Sequence, residues 1–187
     1  MATVKTIKPA GGGDYTTLQA WEDWADGQAS ADQWAECYTG GNLGAVLIQT
    51  WTGVPDSTHY PRIYTPKDQR HEMVNNNLGA YIEASTPVNI KLNYTRVEGL
   101  RIRATAGSTS AIYISPGNGV LITGIVIDSN LLIPITGTSI GYAIFTNIIR
   151  SGFGGNVENI YRNNIIYGRG GKFTEGMYLR WDDQGAP

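Results

Sequence analysis

The pattern of apolar and polar residues along the chain changes at about residue 32. Before this point, residues 3–8 alternate between polar and apolar and predict a short strand. The next segment predicts a helix that begins near Thr16 and Gln19, which fit a capping box. Its apolar residues recur at helical spacing on one face, and these are Leu18, Trp21 and Trp24. We expect this amphipathic helix to lie over the end of the core.

After residue 32 the chain consists of short β-branched or aromatic segments bounded by Gly, Pro, Asn or Asp, which predict strands. From residue 88 onward a weak repeat appears, in which a Gly or Asn precedes apolar residues. The repeated positions are Gly99, Gly124, Asn147 and Asn164, about 22 residues apart on average. We interpret them as structural turns, because Gly and Asn tolerate the left-handed backbone region that other residues avoid.

A bend at regular intervals between short strands predicts a coil whose turns stack, with Ile, Leu and Val pointing inward. This describes an all-β protein, a single-stranded parallel β-helix with an N-terminal amphipathic capping helix. We expect one domain over residues 1–187, with the first strand and helix in 1–32 and the β-helix turns in 33–187. The alternative is an antiparallel sandwich, but two-residue hairpin signals are scarce.

Composition narrows the class of protein. The 187 residues suit one domain, and glycine, with 24 residues, is nearly twice as frequent as usual. The net charge of −2 argues against nucleic-acid binding.

One cysteine excludes an internal disulfide, and two histidines do not supply the usual zinc sites, so we expect neither a metal nor a cofactor. We also expect no membrane partner, because no apolar run approaches the length of a membrane-spanning helix. The first residues lack the apolar stretch of a secretory signal, which predicts synthesis and release in the cytoplasm of the producing cell.

Residues 12–22 resemble the opening signature of a phage and bacterial group of proteins, Gly-Gly-Asp-Tyr-Thr-x-Leu-x-x-Trp-Glu. That group belongs to the right-handed parallel β-helix proteins of the pectate-lyase-like superfold. Segments 69–71 and 97–102 also resemble its members, so the resemblance covers most of the chain. It implies a right-handed β-helix whose first turn is capped by the helix. It is more specific for the fold than for the function.

The adjacent carboxylates Asp182 and Asp183 are the candidates for a catalytic pair. Inverting glycosidases need two carboxyl groups that flank the scissile bond. The pair resembles that of polygalacturonase-like enzymes. However, the Asn-Thr-Asp that precedes their pair and the Gly-His-Gly and Arg-Ile-Lys that follow it are absent. We therefore predict no catalytic residues, and the alternative is a fragment of a polysaccharide depolymerase.

Aromatic residues supply candidates for sugar stacking, although aromatic side chains are also ordinary core material in solenoids. The candidates are Tyr38, Trp51, Tyr60, Tyr64 and Trp181. They define a further alternative, a carbohydrate-binding adhesin module whose partner is a cell-surface glycan.

The C-terminal segment predicts one last strand and no capping helix. Since an uncovered end of a stacked coil invites association, either the chain continues or another subunit covers this end. We expect residues 172–187 to pack against a partner. The first hypothesis for function is a non-enzymatic component of a phage virion surface, either a capsid decoration or a tail or fibre protein. It would assemble with copies of itself or with other virion proteins.

Overall fold

The computed structural model describes residues 1–71, 79–105, 110–115, 122–135, 137–150, 158–168 and 171–183, with backbone only for 148–150 and 181–183. It is a parallel β-helix of about five turns with 45% strand, and within these residues it has one α-helix and only parallel strand pairing. The elements are β1 Thr3–Ile7, α1 Leu18–Ala25, β2 Gln33–Cys37, β3 Val46–Ile48, β4 Arg62–Tyr64, a 3₁₀ turn Lys67–Gln69, β5 Tyr81–Ala84, β6 Val88–Ile90, β7 Arg96–Glu98, β8 Arg101–Ala104, β9 Ser110–Ile114, β10 Val126–Asp128, β11 Leu131–Pro134, β12 Ser139–Arg150, β13 Ile160–Arg162, β14 Ile165–Ile166 and β15 Lys172–Asp183.

Three parallel sheets run along the coil. Sheet A has the order β1-β2-β4-β7-β10-β13, sheet B has β14-β11-β8-β5, and sheet C has β15-β12-β9-β6-β3. From β4 onward each turn contributes one strand to each sheet. In the turn before, Asn42 takes the place of a sheet B strand by bridging to Tyr81.

The turns are longer than the sequence repeat predicts, and they are unequal. The outward residues that pair along sheet A stand at positions 34, 62, 96, 126 and 160, and every interval between them exceeds the predicted spacing. The predicted spacing is wrong because it joins positions that are not equivalent. Gly124 precedes β10, whereas Gly99 lies between β7 and β8. Asn147 lies inside β12, paired with Arg180 of β15, so no turn is present there.

The equivalent corner positions between sheets A and B are Gly99, Ser129 and Asn163, with φ of 74°, 57° and 55°. The residue after each corner explains why asparagine recurs. The Asn130 side chain donates to Val97 O and accepts from Leu100 N, at 2.9 and 3.0 Å. One turn later, the Nδ2 of Asn164 donates to Ile127 O at 2.7 Å. Asn164 therefore joins neighbouring turns rather than forming the bend itself.

The core is a set of stacked inward-facing side chains, because alternate residues of a strand point to the same face. In sheet A the inward column contains Ala35, Ile63, Val97 and Ile127, all fully buried. Each full burial of an Ile or Val stabilises the fold by about 1.5–3 kcal/mol. The coil is held together by these columns and by the continuous hydrogen bonding of its sheets.

Helix α1 covers the outer edge of β3, the first strand of sheet C. Leu18 and Trp21 are fully buried, and Trp24 is half-buried against the core. The N-cap is Thr17 rather than Thr16, with its Oγ1 accepting from the N–H of Ala20 at 3.2 Å.

The polar side chains of α1 occupy the hydrogen-bonding groups at this edge. Gln19 Oε1 accepts from Leu47 N at 2.9 Å, and Glu22 Oε1 accepts from Gln49 N at 3.2 Å. The helix thus satisfies backbone donors that an uncovered edge strand would leave open for association.

Candidate binding face on sheet A

The outer surface of sheet A carries two columns of side chains set by the strand register. The first is Trp34, Arg62, Arg96, Val126 and Ile160, and the second is Glu36, Tyr64, Glu98, Asp128 and Arg162. All ten are half-buried or exposed. Aromatic, basic and acidic groups therefore share one rigid surface.

Aromatic rings and guanidinium groups alternate at one end of this surface. The Arg62 guanidinium carbon lies 5.0 Å from the ring centroid of Trp34 and 4.4 Å from that of Tyr64. Tyr60 stacks on Trp34 with a centroid distance of 6.0 Å and an interplanar angle of 18°. Arg96 lies 3.6 Å from the centroid of Tyr60. We call the surface formed by Trp34, Tyr60, Arg62, Tyr64 and Arg96 the aromatic face. Its cation–π contacts hold the side chains in place.

The carboxylates of the second column are engaged in hydrogen bonds. Glu98 accepts from Arg62 Nη2 and Nε at 2.6 and 3.2 Å. Glu36 accepts from the hydroxyls of Tyr38 and Tyr64, both at 2.9 Å. Burial, followed by the hydrogen bond to Glu36, raises the pKa of Tyr64 to about 12.

Asp128 completes this column. Burial alone would raise the pKa of Asp128, but hydrogen bonds from Arg162, Ser129 and Asn163 together lower it below its ordinary value. A general acid of a glycosidase has a raised pKa. The lowered pKa of Asp128 is the opposite of this property, and its hydrogen bonds, like those of Glu98 and Glu36, hold the surface in place.

Two of the predicted sugar-stacking residues, Tyr60 and Tyr64, lie together on the aromatic face. Trp51 does not. It is 7% exposed, packs edge-on against Trp21 at 5.8 Å, and donates its Nε1–H to Glu22 at 3.1 Å. The expectation that Trp51 is available for stacking is wrong, because this indole completes the core beneath α1. The side chains of Trp181, Asp182 and Asp183, at the end of β15, lie outside the described part of the chain.

The sequence pattern did not single out Trp34, Arg62 and Arg96 as members of a surface. Their only signal is the alternation inside short strands, Trp34 beside buried Ala35 and Arg62 beside buried Ile63. The three strands that carry them are separated by whole turns of the coil, so their proximity becomes visible only with the register.

A groove of about 360 Å³ opens farther along sheet A, at the corners that precede β7, β10 and β13. Its polar lining includes Ser57, Tyr94, Arg96, Thr123 and Glu158. Arg96 thus belongs to both the aromatic face and the groove.

Other candidate chemistry is sparse in the part of the chain that the structure describes. No group of three or more His, Cys, Asp or Glu residues there could hold a metal ion. Cys37 is fully buried, and burial raises the pKa of its thiol, which keeps the thiol in its unreactive protonated form. His71 is half-buried, and its Nε2 donates to Ser129 O at 2.9 Å.

Comparison of the chain with protein-family models, curated proteins and solved structures gave no match. The fold itself defines the class, a parallel β-helix protein. Membership of the pectate-lyase-like superfold or of the phage group stays a prediction. No helix within the described ranges is long and apolar enough to cross a membrane.

Proposed function

We propose that the chain is a non-enzymatic component of a phage virion surface that assembles with copies of itself. The observation that supports assembly is the set of apolar side chains that the last turn leaves exposed. Met177 and Leu179 of β15 pair with Ile144 and Thr146, which are fully buried. Met177 and Leu179 themselves are 41% and 56% exposed.

Sheet B repeats this arrangement. Ile166 of β14 pairs with fully buried Leu132 and is 41% exposed. These side chains occupy positions that face the core in the preceding turn, but within the described residues no further turn covers them. We call the last-turn surface around Ile166, Met177 and Leu179 the terminal face. Contiguous exposed apolar surface of this kind is typical of protein interfaces.

The proposed partner of the terminal face is the same face of a second copy. Stacking of the coils head to tail would require the edge of β3, which α1 already occupies through Gln19 and Glu22. No described residue occupies the terminal face in this way, so two such faces can meet. Exposed side chains of the last turn carry both signs of charge, Lys172 and Glu175 among them. A two-fold pair can bring opposite charges together, because residues of one copy meet different residues of the other.

Light scattering of the full chain over a range of concentrations tests the assembly. We expect a dimer whose dissociation constant rises at least tenfold in the double variant Met177→Ser, Leu179→Ser. The matched control is Val54→Ser, which removes an 84% exposed apolar side chain elsewhere and leaves the dimer intact. A monomeric wild type at all concentrations, or a double variant that dimerises like the wild type, overturns this pairing.

The virion assignment has its own test. Mass spectrometry of purified phage particles from the source culture should detect the chain as a stoichiometric component. Detection only in the soluble fraction of infected cells would contradict it. The depolymerase alternative depends on Asp182 and Asp183 and stays a prediction.

A second candidate function is carbohydrate binding, which the aromatic face favours. Trp34, Tyr60 and Tyr64 are half-buried aromatic residues on one rigid surface, and two arginines hold them in position. Stacked rings with adjacent hydrogen-bonding groups suit amphipathic ligands such as sugars. This function is compatible with display on a virion, and glycan binding by the intact chain tests it.

A further inference from the structure

Tyr94 has an unusual backbone conformation. Its φ is +57°, a left-handed value that bulky residues rarely adopt. The equivalent residue of the next turn is Gly124, with φ of +73°. A Cβ atom at residue 124 would collide with the Tyr94 ring, so the ring lies across the place where residue 124 would carry a side chain.

The surrounding backbone holds this corner firmly. The N–H of Tyr94 donates to Thr123 O at 2.9 Å, and the N–H of Gly124 donates to Glu158 O at 2.8 Å. Strained residues persist only where their surroundings determine them, and they are concentrated at functional sites. Here the strained residue is an aromatic ring in the wall of a groove.

The groups around the ring can both donate and accept hydrogen bonds. Arg96 supplies a guanidinium, and no carboxylate among the described residues forms an ion pair with it. Its Nε is buried and has no hydrogen-bond partner in the described part of the chain. Glu158 supplies an exposed carboxylate, and the hydroxyls of Ser57 and Thr123 also line the groove.

The charge and size of the groove limit its ligand. One cationic and one anionic group balance each other, so an anionic ligand attracted by Arg96 would be repelled by Glu158. A neutral ring with several hydroxyls can accept from one group and donate to the other without this conflict. The volume of about 360 Å³ is at the small end for ligand sites, which suits one sugar ring better than several.

We propose that this groove binds one ring of a neutral glycan, with Tyr94 as the stacking surface and with Arg96 and Glu158 as partners for its hydroxyls. The proposal rests on the carbohydrate-binding function suggested above and deepens it. It assigns neutral rather than acidic sugars, and it locates the bound ring at Tyr94.

The experiment is saturation-transfer NMR followed by titration calorimetry on the full chain. The probes are trisaccharides of glucose, galactose and mannose, together with the corresponding uronic-acid trisaccharides. We expect binding of at least one neutral probe and at least tenfold weaker binding of its acidic counterpart. Tyr94→Gly should weaken neutral binding at least tenfold, because glycine accepts the backbone conformation while the ring is lost. The control Tyr167→Ala removes a 45% exposed tyrosine of the last turn and should leave affinity unchanged.

A further variant tests selectivity with little risk to folding. Glu158→Gln removes the charge of an exposed side chain. The ratio of the dissociation constants of the acidic and the neutral probe should fall at least threefold, because the acidic probe binds more tightly. If no probe of either kind binds, the carbohydrate-binding function and this proposal both fail. If acidic probes bind better in the wild type, or if neutral binding survives in a folded Tyr94→Gly variant, carbohydrate binding stands and the proposed groove is wrong.

Discussion

Glu22 is the charged group on which the cap of the β-helix depends, and its removal should destabilise the whole protein. It is 3% exposed, and its Oε1 accepts from Gln49 N and from Trp51 Nε1 at 3.2 and 3.1 Å. Its Oε2 accepts from Gln19 Nε2 at 3.0 Å. Glu22→Ala leaves the buried Trp51 donor and an edge backbone donor without an acceptor. Each unsatisfied buried donor costs about 1–3 kcal/mol.

The gain from no longer burying a carboxylate offsets part of this loss, so we expect a net destabilisation of about 2–4 kcal/mol. For a chain of this size, 1 kcal/mol corresponds to roughly 2–4 °C in the unfolding midpoint. The assay is urea unfolding followed by circular dichroism. The control is Asp23→Ala, one position along on the exposed side of α1, which should change stability by less than about 0.5 kcal/mol. A Glu22→Ala variant within about 0.5 kcal/mol of the control would refute this account of the cap.

The pH dependence of Glu22 gives an independent check. Burial raises its pKa above the ordinary value of 4.5, opposed by the hydrogen bonds from Gln49 and Trp51. The folded state therefore holds the proton more tightly than the unfolded state does. The stability that this group contributes is fully present below pH 4.5 and is lost as the pH rises through the folded pKa. The stability of the wild type minus that of Glu22→Gln should fall as the pH rises above 4.5, and a flat or rising difference would contradict the raised pKa.

Three more changes test the corners, the asparagine contacts and the N-terminal turn. Gly124→Ala should destabilise by about 1–3 kcal/mol more than Gly137→Ala in thermal unfolding, because both have positive φ but only position 124 meets a ring; equal losses would contradict this. Asn130→Ala should cost about 1–3 kcal/mol in urea unfolding, since it leaves the buried N–H of Leu100 without the acceptor that the Asn130 side chain supplies, and a loss below about 0.5 kcal/mol would count against the asparagine contacts. Hydrogen bonds from Thr6 lower the pKa of Asp14 to about 2, so its contribution to stability is present above pH 3.8 and is lost as the pH falls toward about 2. Asp14→Asn should remove that part of the acid dependence, and an unchanged acid profile would show that Asp14 plays no such role.

The local pattern of the sequence determined the amphipathic helix, the change to short strands and the inward aliphatic positions. These features depend on side chains close together in the chain. Leu18 and Trp21 fall on one helix face because of helical periodicity, and Ala35 and Ile63 face inward because strands alternate. Glycine at 99 and 124 likewise indicated backbone conformations that other residues avoid.

The tertiary structure alone decided which turns lie side by side. Loops of different length make the turns unequal, so the sequence period does not give the register. The register assembles the aromatic face from Trp34, Arg62 and Arg96. It places the indole of Trp51 beneath α1, where Glu22 accepts its N–H. Burial and contacts between distant residues depend on which strands stack, and the local chain carries no signal strong enough to specify that stacking.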